Sequence, residues 1–87
     1  MMQRGKAGMV TFKLMEETEQ LLLYWYYPNG HAETHGIIVV DRKSGRIELR
    51  MPDPNDSGSM YASHAMRKIM KAWAEGVILK DGSAAWY

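Results

Sequence analysis

The sequence contains no cysteine, so disulfide bonds, thiolate metal sites and cysteine nucleophiles are all excluded. It also lacks a long apolar run. The strongest one, residues 21–27, is far too short to span a bilayer, and the N-terminal residues have no apolar signal-peptide core. We therefore expect a cytoplasmic protein that does not enter the membrane.

Neither sign of charge dominates, because eleven basic and ten acidic residues give a formal net charge of +1. Totals of this kind do not indicate a dedicated nucleic-acid or membrane binder. Proline is scarce as well: its three residues stand at position 28 and within residues 52–54. Both places are predicted interruptions of regular structure, since proline has no N–H for a ladder.

What remains is the composition of an ordinary globular domain, with 46% apolar and 24% charged residues. Residues 1–8 show no apolar periodicity and predict a flexible lead-in, whereas residues 9–87 predict a single domain. A domain of this length buries only about 60 to 65% of its extended surface, so its core is thin and a partner chain would add stability.

The densest aromatic block, residues 20–40, reads as two strands joined at Pro28-Asn29-Gly30. Before it, apolar residues at alternate positions predict a strand over residues 9–15, followed by a polar turn at 16–19. A helix through residues 13–25 is the competing interpretation, because Glu, Gln, Leu and Met favour helices. The surrounding β-branched and aromatic residues favour strands instead.

Two turns fix the predicted register of the sheet. Pro28 and Gly30 favour a three-residue loop with a type I turn, which pairs Tyr27 with His31 and Leu22 with Gly36. An Asn-Gly type I′ turn is the alternative, and the N–H missing from Pro28 disfavours it. Residues 41–46 predict a four-residue hairpin loop.

That second loop pairs Val40 with Ile47 and Ile38 with Leu49, and so divides the side chains between two faces. The predicted core face carries Leu22, Tyr24, Tyr26, Ile38, Val40, Ile47, Leu49 and Met51. The predicted outer face carries Leu21, Leu23, Trp25, His31, Glu33, His35, Ile37, Val39 and the charges of the fourth strand.

A helix is predicted over residues 59–75, where apolar residues recur at helical spacing. Asp56, Ser57 or Ser59 can cap its start, and Gly76 stands where a C-terminal glycine is expected. After a turn at residues 80–82, residues 83–87 predict a short strand at a sheet edge. The predicted fold is α+β: an antiparallel sheet of four to five strands, order β-β-β-β-α-β, with one helix packed on one face.

Three segments, YYPNG, GIIVVDRKSGRI and the closing AAWY, resemble short uncharacterised proteins of Gram-positive bacteria and their mobile elements. The resemblance covers most of the chain. None of the three segments is a catalytic motif, so the resemblance implies a similar fold and no particular chemistry.

Two segments superficially match metal sites. His31, Glu33 and His35 alternate, which would place three possible zinc ligands on one face of a strand, but they span too far for one ion. Residues 53–58 resemble the start of a calcium loop, yet the twelfth position, where a bidentate glutamate belongs, is His64. A polar strand end and a helix-capping loop explain the same residues, so we predict no metal and no cofactor; a metal-binding protein that uses His and Glu is the less favoured alternative.

The solvent-facing side of the helix carries a basic face, which consists of His64, Arg67, Lys68 and Lys71. Such a face could contact phosphates or an acidic partner, and nucleic-acid binding is one functional alternative. Solvated helix faces commonly look like this, and cations near a helix C-terminus are favoured by its dipole. No known recognition motif supports the nucleic-acid alternative.

The outer sheet face is the more informative feature, because one helix covers only one side of a sheet. Contiguous apolar patches with aromatic residues usually mark interfaces. The function predicted from the sequence is therefore a small non-enzymatic interaction module, a homo-oligomer or a binder of another protein. Its apolar patch consists of Leu21, Leu23, Trp25, Ile37 and Val39.

Overall fold

The computed structural model describes residues 7–86 and consists of one antiparallel sheet with one α-helix packed on one face. This confirms the predicted α+β fold and its order β-β-β-β-α-β. The strands are β1 Gly8–Glu17, β2 Leu21–Pro28, β3 Gly36–Asp41, β4 Ile47–Met51 and β5 Asp81–Trp86, and the helix is α1 Met60–Ala74. Their order across the sheet is β4-β3-β2-β1-β5.

The predicted flexible lead-in at residues 1–8 lies largely outside the described residues, as does Tyr87 at the predicted last strand. Gly8 already belongs to β1, which is longer at both ends than the predicted strand 9–15. The competing helix over residues 13–25 is wrong, because these residues form most of the β1–β2 hairpin.

The core lies between α1 and the inner face of the sheet. Ala62, Ala65 and Ile69 of α1 are buried there, as the predicted apolar stripe requires. The ring of Phe12 meets that of Tyr24 edge-on, with centroids 5.9 Å apart. The fully buried sheet residues are Val10, Phe12, Leu22, Tyr24, Tyr26, Ile38 and Val40.

Three inner-face glycines each lie directly opposite an aromatic residue of the neighbouring strand: Gly8 opposite Trp86, Gly36 opposite Tyr26, and Gly82 opposite Phe12. In every case a Cβ on the glycine would collide with the ring opposite it. The rings therefore lie over backbone that has no side chain; Gly36 is buried there, and Gly8 and Gly82 are half-buried.

The β2–β3 register differs from the predicted one by four residues. Leu22 pairs with Val40, Tyr24 with Ile38 and Tyr26 with Gly36, so β3 begins at Gly36 and residues 29–35 form a loop. The predicted pairing of Leu22 with Gly36 is wrong. The predicted faces are nevertheless right for both strands, because side chains alternate with a period of two and four is an even shift.

The first turn also differs from the predicted type I turn. Asn29 and Gly30 both have positive φ (55° and 75°), and the His31 N–H donates to the Pro28 carbonyl, as in a type I′ turn. The Asn29 N–H points to β1, where it donates to Met9. Successive amides of a strand point to opposite neighbours, so an N–H at position 28 would point to β3. Proline has no such N–H, but none is needed because the β2–β3 pairing ends at Tyr26 and Gly36.

The second hairpin confirms the predicted pairs Val40–Ile47 and Ile38–Leu49. A bulge follows, because the next pair is Ile37 with Met51. Residues directly opposite one another share a face. Met51 therefore lies on the outer face, 40% exposed, and its predicted place in the core is wrong.

Both ends of α1 are closed by hydrogen bonds. Asp56 lies before a short 3₁₀ turn, Ser57–Ser59, and its carboxylate accepts the N–H groups of Tyr61 and Ala62. At the other end Gly76 has φ +80°, its N–H donates to Trp73, and the next N–H donates to Ala72. This is a Schellman motif, so the predicted C-terminal glycine is confirmed.

The chain returns to the sheet after α1 through residues 77–80. Ile78 and Leu79 pack against the core cluster, and β5 then pairs with β1 at the edge of the sheet. The edge position is as predicted, but Asp81 and Gly82 belong to the strand and not to a turn. Across residues 7–86, no helix has the length and apolarity that crossing a membrane requires.

Candidate functional site: the outer sheet face

The outer face of the sheet carries two cross-strand rows of side chains. In the first row, Lys13 of β1 lies opposite Trp25, Trp25 opposite Ile37, and Ile37 opposite Met51. In the second row, Glu16 lies opposite Leu23, Leu23 opposite Val39, and Val39 opposite Glu48. Leu21 lies beyond the second row, as the first residue of β2. The five predicted patch residues are thus adjacent, and Met51 extends the patch.

The patch faces away from α1, the one helix of the described residues. Its members shelter one another, so Leu21, Leu23, Trp25 and Ile37 are half-buried and Val39 is 6% exposed. Ile78 and Leu79, which could have folded over this face, pack on the inner side. Within residues 7–86 the patch therefore has no second layer over it.

One side chain does lie against the patch: His35, from the loop before β3. Its imidazole stacks on the Trp25 indole, with centroids 3.6 Å apart and an angle of 8° between the planes. Tyr27 meets the same imidazole edge-on at 6.5 Å. The sequence places His35 on the outer face but gives no sign of this stacking, because the stacking depends on the path of the 29–35 loop.

The rim of the patch carries charges of both signs. Lys13 and Glu16 stand on the β1 side, with Asp81 of β5 opposite Lys13. On the β4 side the Arg50 Nε lies 2.8 Å from a Glu48 carboxylate oxygen. Next to Leu21 and Val39 is a recess of about 610 Å³, which is also lined by Gln20, Asp41, Lys43, Arg46, Ile47, Glu48 and Arg50.

The predicted alternation of His31, Glu33 and His35 along a strand is wrong, because all three belong to the loop that precedes β3. His31 and Glu33 are exposed, and His35 is held by Trp25. No group of three or more potential metal ligands is assembled among the residues that the structure describes.

The segment that resembled a calcium loop is a hydrogen-bonded connection between β4 and α1. Asp53 is 2% exposed and accepts from the Asn55 N–H and the Thr34 hydroxyl. Asp56 is 4% exposed, and both of its oxygens accept donors from the protein. The Asp53 carboxylate therefore holds the 29–35 loop through Thr34, and the Asp56 carboxylate binds the first turn of α1.

Two buried phenols connect the sheet to the segments before and after α1: Tyr26 to residues 53–56 and Tyr24 to Leu79. Burial, followed by the negative charge of Glu17, raises the pKa of Tyr24 to about 12, and its hydroxyl donates to the Leu79 carbonyl. Burial is also the largest cause that raises the pKa of Tyr26 above its ordinary range, and the hydrogen bond to Asp56 adds to it. Both phenols are hydrogen-bonded within the fold, Tyr24 to Leu79 and Tyr26 to Asp53 and Asp56.

The predicted basic face exists and lies beside β5. His64 is half-buried because its ring stacks on that of Trp86, with centroids 3.9 Å apart, whereas Arg67, Lys68 and Lys71 are exposed. Together these four side chains line a shallow groove of about 250 Å³ with Ala84 and Ala85. The two candidate surfaces, outer face and basic groove, are thus separate.

Residues 7–86 form a small two-layer α+β fold, and within them the outer sheet surface is not covered by another element. Comparisons of the chain with protein-family models, curated proteins and solved structures give no significant match. The resemblance to short proteins of Gram-positive bacteria and their mobile elements stays a prediction.

Proposed function

We propose that the chain is a small non-enzymatic interaction module and that its outer sheet face binds a second copy of the same chain. The observation that carries the proposal is the pair of apolar cross-strand rows, Trp25–Ile37–Met51 and Leu23–Val39, on the face opposite α1. Apolar sheet surface of this kind is stable when a second layer removes it from water.

The size of the face fits such a contact. Five strands about 4.8 Å apart and about 20 Å long give a flat area of roughly 500 Å². Side-chain relief increases the accessible area toward the ~800 Å² per partner that stable complexes bury. Two sheets packed face to face at about 10 Å would form a β-sandwich core between the two outer helices.

The rim of the patch carries both positive and negative side chains, which favours a second copy of the chain over a partner that is strongly acidic or strongly basic. Lys13, Arg46 and Arg50 alternate around the patch with Glu16, Glu48 and Asp81. A surface that carries both signs can complement itself across a twofold axis, where each residue meets its counterpart's neighbour. The thin core expected for this chain length adds a reason for association.

Light scattering after size-exclusion chromatography tests the proposal over a series of protein concentrations. We expect the mass of the wild-type chain to rise toward that of a dimer, and that of Leu23→Glu to stay at the monomer value because a carboxylate would be buried in the contact. Met60→Glu is the matched control, since Met60 is an exposed apolar residue at the start of α1.

A second variant tests the same contact in case Leu23→Glu does not fold. Lys13→Glu changes an exposed rim residue without altering the apolar rows, and we expect it to weaken association at low salt. A wild-type chain that stays monomeric at every concentration contradicts self-association through this face. Equal dimerisation of wild type, Leu23→Glu and Lys13→Glu would place the contact elsewhere.

The predicted cytoplasmic location is part of this proposal and is tested separately by fractionation.

A further inference from the structure

The groove beside β5 combines a free strand edge with a row of cations. β5 is the last strand of the sheet, and its only neighbour among the described residues is β1. The Leu14 N–H donates to the Lys80 carbonyl, and hydrogen-bonded pairs recur at every second residue of an antiparallel ladder. The backbone N–H and C=O groups of Ser83 and Ala85 therefore point away from β1, toward the free edge.

The two edges of the sheet differ in how they are protected. On β4 the outward side chains near the edge are charged, including Glu48 and Arg50, and Pro52 follows the strand directly. Charge and proline are the usual means by which an edge strand avoids pairing with another chain. Residues 82–85 are Gly-Ser-Ala-Ala, with neither charge nor bulk. Asp81 at the start of β5 is the one charge of this strand, and among residues 7–86 β5 is thus the edge that is open to a further strand.

The positive charge of the groove favours an acidic partner. Arg67, Lys68 and Lys71 supply three fixed positive charges, His64 lies next to them, and the part of the chain that the structure describes contributes no acidic side chain to the groove. Arg67 and Lys71 are four residues apart, a rise of about 6 Å along the helix. Alternate residues of an extended strand are about 6.6 Å apart, so acidic residues at every second position would match this spacing.

We infer that this groove binds an extended acidic peptide, which adds to β5 as a sixth strand while its alternate carboxylates meet Arg67 and Lys71. A peptide is favoured over a nucleic acid because its backbone has donors and acceptors for the outward groups of Ser83 and Ala85, which have no backbone partner among residues 7–86. The groove of about 250 Å³ also suits a few side chains and not a duplex. This surface is distinct from the outer face, so the inference does not depend on self-association.

Fluorescence polarisation with a labelled peptide of alternating glutamate and valine tests the inference on the full chain. We expect binding that weakens by about tenfold or more in Arg67→Glu plus Lys71→Glu at low salt. Ala85→Pro should weaken it by about fivefold, because proline removes one outward N–H and leaves the β1 ladder intact. A peptide of alternating lysine and valine serves as the charge control.

A second measurement leaves the protein unchanged. The acidic peptide N-methylated at alternate positions keeps its charge but lacks half of its donors, so its binding should be weaker than that of the parent peptide. Failure of the wild-type chain to bind the acidic peptide would overturn the inference. So would binding that is insensitive to both Ala85→Pro and N-methylation, or tighter binding of a single-stranded oligonucleotide that only the charge reversals reduce, which would assign the groove to nucleic acid.

Discussion

The hydroxyl of Tyr26 donates a 2.8 Å hydrogen bond to the carboxylate of Asp56, thirty residues further along the chain. The same hydroxyl accepts the N–H of Asp53 at 2.9 Å, and the other donors to Asp56 are the Tyr61 and Ala62 amides in the first turn of α1. One phenol of the central strand thus links the sheet to the two residues, Asp53 and Asp56, that precede the helix. The helix in turn covers the inner face, and within residues 7–86 the outer face has no second layer over it.

Replacement of Tyr26 by phenylalanine should destabilise the fold by about 1 to 3 kcal/mol, because the buried N–H of Asp53 would lose its acceptor and Asp56 a donor. Tyr24→Phe removes a single hydrogen bond, to Leu79, and should cost about 1 kcal/mol. Urea unfolding of both variants checks the difference. A loss for Tyr26→Phe no greater than that for Tyr24→Phe would contradict the proposed role of this hydroxyl.

Asp56→Asn should also destabilise the chain, by about 2 to 4 kcal/mol, because both carboxylate oxygens accept hydrogen bonds and an asparagine offers only one acceptor. Asp41→Asn is the matched control. One oxygen of Asp41 accepts both the Lys43 and Ser44 amides in an exposed turn, so asparagine can replace it with little loss. Thermal unfolding followed by circular dichroism compares them, and equal shifts of Tm would refute this account of the helix start.

The glycines opposite aromatic rings should not tolerate alanine equally well. A Cβ at Gly36 would overlap the Tyr26 ring and lie 2.7 Å from the Met51 carbonyl oxygen, which is held in the sheet. At Gly82 the three nearest atoms all belong to the Phe12 ring. We expect Gly82→Ala to cost about 1 to 3 kcal/mol and Gly36→Ala more. Denaturant unfolding measures both, and the cost at Gly82 should fall in a Phe12→Leu background.

Alkaline pH should weaken the fold through the two buried phenols. Their folded-state pKa values are raised, to about 12 for Tyr24, above the ordinary tyrosine value of about 10. The neutral phenols therefore contribute stability in full below about pH 10, and this contribution is lost as the pH rises through the folded-state values. The free energy of unfolding of Tyr24→Phe should fall less steeply above pH 10 than that of wild type. Identical slopes would contradict the prediction.

The pattern of side chains was enough to predict the two faces of the sheet. The predicted β2–β3 pairing was displaced by four residues, yet the predicted inner-face residues Leu22, Tyr24 and Ile38 are buried. Side chains alternate between the two faces, so a shift by an even number of residues leaves each one on its predicted face. The register itself depended on the 29–35 loop. That loop is held by a contact between Thr34 and Asp53, nineteen residues apart, for which the sequence gives no local signal.

The candidate sites were predictable to different degrees. Helical spacing places Arg67 and Lys71 on one side of α1, but the neighbour of that side is β5, whose small residues look unremarkable in the sequence. The outer patch followed from alternation alone. Met51 was assigned to the wrong face because a bulge inserts one residue, an odd shift, and a bulge at this position depends on backbone packing.

The most direct test of the outer face as the self-association surface is a dilution series followed by ¹H–¹⁵N NMR. The chain has three tryptophans, and each indole N–H reports on one surface: Trp25 on the outer face, Trp73 on the core and Trp86 beside the basic groove. We expect dilution to shift the Trp25 indole signal together with the amides of Leu23, Ile37 and Val39, while the other two indole signals stay in place. Spectra that do not change with concentration, or changes centred on Trp86, would contradict the account.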